Sequence, residues 1–173
     1  MKKNNIILIG MPACGKSYFG YKLSEILTDY TFIDTDSLIE KTQGLTIAEI
    51  FRNFSEEYFR KLEYETIKMV CTGLHKIISI GGGAFENPDT RSRLLRFGTV
   101  YYLKSNIEVL YNRLSDDGSR PLLNCENPKD MLVFTLNKRE KNYLKADYVL
   151  DETVLAESEI IKFIMESINE TNT

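Results

Sequence analysis

Eight residues near the start of the chain, Gly10-Met-Pro-Ala-Cys-Gly15-Lys16-Ser17, constrain it more than any other stretch. The apolar run from Ile6 to Ile9 before them has the character of a buried strand, and Tyr18 to Leu27 after them carries apolar residues at helical spacing. A G-x-x-x-x-G-K-[ST] turn between strand and helix lets bare backbone N–H groups close around phosphate oxygens. The helix N-terminus adds about half a positive charge there. Lys16 supplies a full, mobile charge, and the Ser17 hydroxyl stands where it can ligate Mg²⁺ beside the β- and γ-phosphates. The bland alternative is a glycine-rich turn that only reverses the chain.

The rest of the chain repeats the strand–helix alternation. Short β-branched or aromatic runs at Asn5–Ile9, Thr31–Asp34, Ile77–Ile80, Thr99–Leu103 and Tyr148–Leu150 are separated by longer segments of helical period. Such alternation implies a parallel sheet covered by helices, an α/β fold. At 173 residues and 43% hydrophobic content, one domain over residues 1–173 is expected. Phe59, Leu62, Thr66, Ile67 and Val70 mark one helix; Asn87-Pro88 is an N-cap with proline at the first helical position, and Ser105 is the expected cap of the next. Ser115 to Pro128, with Asp116, Asp117, Gly118, Pro121 and Asn124, breaks any period and is expected to be a mobile loop.

Composition narrows the function classes. Cys14, Cys71 and Cys125 are odd in number and form no C-x-x-C pair, and His75 is the only histidine, so neither a disulfide framework nor structural zinc is expected. The two lysines before Ile6–Ile9 precede too short a run to act as a signal peptide, nothing later has the length of a membrane span, and a cytoplasmic protein is expected. The net charge is −3; from Asp151 onward six acids face one lysine, a local −5 that leaves +2 on residues 1–150. That suits anionic small molecules and falls short of a nucleic-acid footprint.

What accepts the phosphoryl group must come from elsewhere in the chain. "FIDTD" places Asp34 and Asp36 two apart at the carboxyl end of a strand, where open α/β sheets bind ligands. One carboxylate can serve a metal while the other orients a hydroxyl; alternatively Asp36 caps a helix from Ser37 to Lys41. Further on stand "FRKLE" (Phe59–Glu63), "IISIGGG" (Ile77–Gly83), "SRPLL" (Ser119–Leu123) and "NKREKNYLKAD" (Asn137–Asp147), each weak alone.

Together, in this order behind the phosphate loop, these motifs resemble those of the shikimate kinases over about Ile6 to Tyr148. The resemblance implies a three-layer P-loop kinase fold with a five-stranded parallel sheet. It also implies transfer of the γ-phosphoryl of ATP to the 3-hydroxyl of shikimate in aromatic amino-acid biosynthesis, with Mg²⁺; a monomer is expected. Carried over motif by motif, Ala13, Cys14, Gly15, Lys16, Ser17 and Tyr18 bind the nucleotide, Arg113 lies near adenine, and Arg120 is a lid arginine that reaches the transferring phosphate. Asp36 resembles the acid that holds the substrate hydroxyls, Asp34 the carboxylate behind the metal, and Arg60 and Arg139 the clamp on the substrate carboxylate. Gly81, Gly82 and Gly83 resemble the strand-end triglycine that meets substrate with bare backbone.

Residue chemistry supports a small acid as substrate without the resemblance, because two guanidinium forks hold a planar carboxylate in charge and in orientation. Glu63, one turn after Arg60, has the spacing to hold that guanidinium, or to be an ordinary surface ion pair. The triglycine either admits a ligand against the main chain or makes a flexible turn. Phe51 and Phe59 either wall the pocket or belong to the core, and Cys14 is an inert small residue or a redox-sensitive one. "DETVLAES" (Asp151–Ser158) departs from the family's adenine-contacting pattern. A gluconate or nucleotide kinase would share the phosphate loop but lack the Asp-x-Asp, Phe-Arg-x-x-Glu and Gly-Gly-Gly set; a silent nucleotide-binding module would not need Lys16, Asp36 and Arg120.

Overall fold

The computed structural model describes residues 4–117 and 127–172. Five strands form one parallel sheet: β1 (Ile6–Ile9), β2 (Thr31–Asp34), β3 (Lys76–Ser79), β4 (Thr99–Lys104) and β5 (Tyr148–Asp151), in the order β2-β3-β1-β4-β5. The central strand is the most apolar. All four side chains of β1 are buried, and it pairs with β3 (Ile6 with Ile77) and β4 (Ile6 with Thr99). A strand buried on both faces needs a continuous apolar run rather than alternation, and "IILI" is one. The expected strands match these to within one residue at each end.

Eight helices cover the sheet among the described residues: α1 (Lys16–Ile26), α2 (Thr35–Gln43), α3 (Ile47–Asn53), α4 (Glu56–Val70), α5 (Pro88–Phe97), α6 (Ile107–Asp117), α7 (Pro128–Tyr143) and α8 (Glu157–Asn172). One core joins the sheet to α1, α4, α5, α6, α7 and α8. A satellite cluster of Ile39, Ile50 and Phe59 binds α2, α3 and α4 to one another. Phe51 packs on Phe59 there, ring centroids 4.8 Å apart, so both rings belong to this core, and neither lines the cleft described below. No helix among the described residues is long and apolar enough to cross a membrane.

Several helix ends differ from expectation, each for a local reason. Asn87 caps α5 as expected, accepting from Asp89 and Thr90 N–H with Pro88 at the first position. The cap of α2 is Asp34, not Asp36: the strand runs directly into the helix, and Asp34 accepts from the N–H groups of Asp36 and Ser37. Asn106 rather than Ser105 serves α6, accepting from Val109 N–H at 2.9 Å. The segment from Ser115 to Pro128, expected as a loop, is helical at each end. Ser115 lies in α6, its hydroxyl returned to the Tyr111 carbonyl at 2.8 Å, and Pro128 opens α7, where its missing N–H has no partner to lose.

Candidate active site

Because β1 and β3 are neighbours, the loops leaving their carboxyl ends face each other across the sheet edge. After β1 comes the turn Gly10–Gly15, and after β3 the run Gly81–Gly83. The first is shaped by left-handed backbone at Gly10 (φ 145°), Ala13 (φ 63°) and Gly15 (φ 87°). At Gly10 a side chain is also excluded by space, since a methyl group would stand 2.6 Å from the Leu103 carbonyl oxygen. Lys16 opens α1, and its Nζ donates to the carbonyls of Gly10 (3.1 Å) and Met11 (2.8 Å), so it is tethered across the loop it serves. Ser17 donates to Asp34 Oδ2 at 2.5 Å, joining the first turn of α1 to the end of β2. The Cys14 thiol is buried against Lys16, and burial pushes it up from its ordinary range, consistent with an inert small residue.

Asp34 and Asp36 diverge, because helix begins between them. Asp34 turns to Ser17, while Asp36 Oδ1 lies at Gly81. Around the triglycine the remaining expected residues converge, and the glycines are there to make room. A methyl group at Gly81 would stand 2.5 Å from Asp36 Oδ1 and 2.8 Å from Glu63 Oε1; at Gly82, 3.3 Å from Arg139 Nη1; at Gly83, 2.8 Å from Arg60 Cζ. The run is a turn, with Ala84 N–H donating to the Gly81 carbonyl and Glu86 N–H to that of Gly83. Gly82 also meets the phosphate loop, 3.1 Å from Pro12 Cδ by the same measure. The site of Asp36 and the arginines thus abuts the phosphate cradle.

Arg60 is held from two sides on α4. Its Nη1 donates to Glu63 (2.9 Å), and its Nε and Nη2 donate to Glu56 (3.3 and 3.1 Å). Of five guanidinium donors three are engaged, leaving one N–H on each Nη for a ligand. Glu63 is 4% exposed, so this is no surface ion pair. Burial raises its carboxyl to about 7, with Asp36 adding to the rise and Arg60 and Arg139 opposing it. Beside the arginines a cleft of about 310 Å³ opens between α4 and α7, lined among others by Tyr64, Gly83, Met131, Phe134 and Lys138.

Toward the nucleotide side, Arg113 of α6 reaches the Ala13 carbonyl (3.2 Å) and pairs with Glu152 (3.1 Å) beyond β5. The "DETVLAES" segment therefore meets the phosphate loop through Glu152. Tyr18 points away, its hydroxyl on Glu157 at 2.9 Å, which leaves its backbone as the part near the loop. Arg120 and the middle of the expected lid, residues 118–126, lie outside the described residues.

Two residues of the site were missed by sequence reasoning. Thr35, fully buried, donates to the Ser79 carbonyl and accepts from Gly81 N–H, both at 3.1 Å, tying β2 to the triglycine. Tyr143 of α7, also fully buried, donates to the Gly82 carbonyl at 2.5 Å. The only signal for either was position: Thr35 between the two aspartates, Tyr143 one turn after Arg139.

The oxygens of Ser17 and Asp34 are hard donors of the kind Mg²⁺ takes. Among the described residues no group of three or more His, Cys, Asp or Glu could hold a metal ion. Mg²⁺ at nucleotide sites takes one or two protein side chains together with phosphate oxygens and water.

The shikimate kinase family model matches residues 12–169. A shikimate kinase of Thermodesulfovibrio yellowstonii is 35% identical over 161 residues, 93% of this chain and 92% of the relative. A solved shikimate kinase of Acinetobacter baumannii, in complex with shikimate, superposes with a TM-score of 0.90 at 31% identity, covering 97% of this chain and 94% of the other. A gluconokinase of Sinorhizobium meliloti, 14% identical with a TM-score of 0.64 over 98% of this chain and 93% of its own, shares the fold alone.

Proposed function

The chain belongs to the shikimate kinase family, and we propose that it transfers the γ-phosphoryl of ATP to the 3-hydroxyl of shikimate with the residues gathered at the β1 and β3 loops. The observation that carries the residue assignment is the triglycine, whose missing side chains give room to Asp36, Glu63, Arg139 and Arg60 at the rim of the phosphate loop.

The ATP phosphates lie in the Gly10–Gly15 turn, bound by its N–H groups and the amino end of α1. Lys16 exchanges its two carbonyl partners for phosphate oxygens and follows the charge that shifts during transfer. Ser17, with Asp34 behind it, would hold Mg²⁺, which would supply neutralisation of the phosphate charge. The substrate carboxylate sits between the free edge of Arg60 and Arg139, which fixes the ring so that one hydroxyl faces Asp36. Asp36 accepts that hydroxyl's hydrogen bond and takes its proton as the new O–P bond forms and the bond to the ADP oxygen breaks. The working form in this proposal is a cytoplasmic monomer.

Carboxylate recognition is the part most open to test. Replacing Arg139 with Lys keeps the charge but loses the fork, and should raise the KM for shikimate about tenfold or more while the KM for ATP holds. Shikimate methyl ester should be a poor substrate of the wild type. Equal kcat/KM for acid and ester would contradict the clamp while leaving kinase activity standing.

A further inference from the structure

The backbone groups of the triglycine divide into two sets. Gly81 N–H is taken by Thr35, and the carbonyls of Gly81, Gly82 and Gly83 accept from Ala84 N–H, the Tyr143 hydroxyl and Glu86 N–H. The N–H groups of Gly82 and Gly83 have no hydrogen-bond partner among the described residues. In a trans peptide the N–H points opposite to the carbonyl of the preceding residue. Whatever holds the Gly82 carbonyl therefore aims the Gly83 N–H, and Gly83 is the glycine that lies against the Arg60 guanidinium.

We propose that Tyr143 is a positioning residue for the carboxylate end of the site: by gripping the Gly82 carbonyl it aims the Gly83 N–H at the acid held by Arg60 and Arg139. The inference rests on the substrate reading above. Three further observations bear on it. Tyr143 is one helical turn beyond Arg139 on α7, so one rigid element sets both the clamp and the peptide plane beside it. Its ring is fixed independently of its hydroxyl, packed on Tyr102 with centroids 5.0 Å apart. Burial raises the phenol well above its ordinary range, which Arg139 only partly offsets, so the group stays a donor at any working pH.

The competing account is that this bond only adds stability, as a buried hydroxyl bond does anywhere. A matched control exists inside the protein: Tyr101, equally buried, shares a 2.7 Å hydrogen bond with Ser167, on α8 and away from the site. The experiment compares Tyr143→Phe and Tyr101→Phe with wild type by thermal melting, steady-state kinetics and calorimetric binding of shikimate. Both variants are expected to melt a few degrees lower. Tyr143→Phe alone should weaken shikimate binding and raise its KM about tenfold, leave the KM for ATP unchanged, and narrow the preference for shikimate over its methyl ester. Unchanged shikimate affinity in Tyr143→Phe, or an equal loss in both variants, overturns the proposal. A wild type that binds no shikimate overturns the substrate reading and this inference with it, whereas normal binding in both wild type and Tyr143→Phe overturns this inference alone.

Discussion

At Gly83 a single hydrogen atom stands where any other residue would press on the Arg60 guanidinium. The obstructing atoms are the far end of a flexible side chain rather than backbone. Gly83→Ala should therefore fold and melt close to wild type while displacing Arg60, raising the KM for shikimate at least tenfold and sparing that for ATP. Steady-state kinetics with both substrates checks this, and an unchanged shikimate KM would count against the role given to the glycine. Glu63 makes a different prediction. Its carboxyl is raised to about 7 in the folded protein against an ordinary value of 4.5, so between those values the folded state binds more protons than the unfolded one. Stability from this group is present in full below about 4.5 and is lost as pH rises through 7. The urea midpoint of wild type should fall between pH 5 and pH 8, and Glu63→Gln should flatten that part of the fall; parallel profiles would contradict it. The presence of Glu63 near Arg60 was legible from spacing. Its burial was not read, although it shares a stripe with Phe59, Ile67 and Val70, the buried face of α4.

The junction of β2 and α2 shows how one element end can serve fold and site at once. Asp34 caps α2 with one oxygen and meets Ser17 with the other. Asparagine caps about as well as aspartate, so Asp34→Asn should cost little in melting temperature, whereas alanine should cost about 1 kcal/mol. Both should raise the Mg²⁺ concentration needed for half-maximal activity, because both remove the negative charge behind Ser17. A magnesium titration of the two variants separates these effects, and an unshifted half-point would make Asp34 a cap alone. The strands and most helices were legible because their signals are local: apolar runs, an Asn-Pro start, helical spacing. The two aspartates were expected on one side of a strand, and it is the start of helix at Thr35 that sends them to different partners. Thr35 and Tyr143 were illegible for a plainer reason. Their bonds span 44 to 61 residues of sequence, and only the sheet order brings the partners together.

Over the whole molecule, the order β2-β3-β1-β4-β5 makes the two glycine loops neighbours although more than sixty residues of sequence lie between them. Strand–helix alternation announces a parallel sheet but leaves the order of its strands open, and the family resemblance supplied only their number. Likewise the phosphate loop identifies the donor from eight residues, while the acceptor depends on four separate segments meeting at one rim. The gluconokinase that shares this fold at 14% identity shows that the frame does not choose the acceptor. The most direct measurement is ADP release by the purified protein with Mg²⁺ and ATP, offered shikimate, quinate, gluconate and nucleoside monophosphates in parallel. Rapid turnover with shikimate, with kcat/KM at least a hundredfold above each of the others, is the predicted result. Preference for gluconate or a nucleotide, or ADP release indifferent to the acceptor offered, would contradict it.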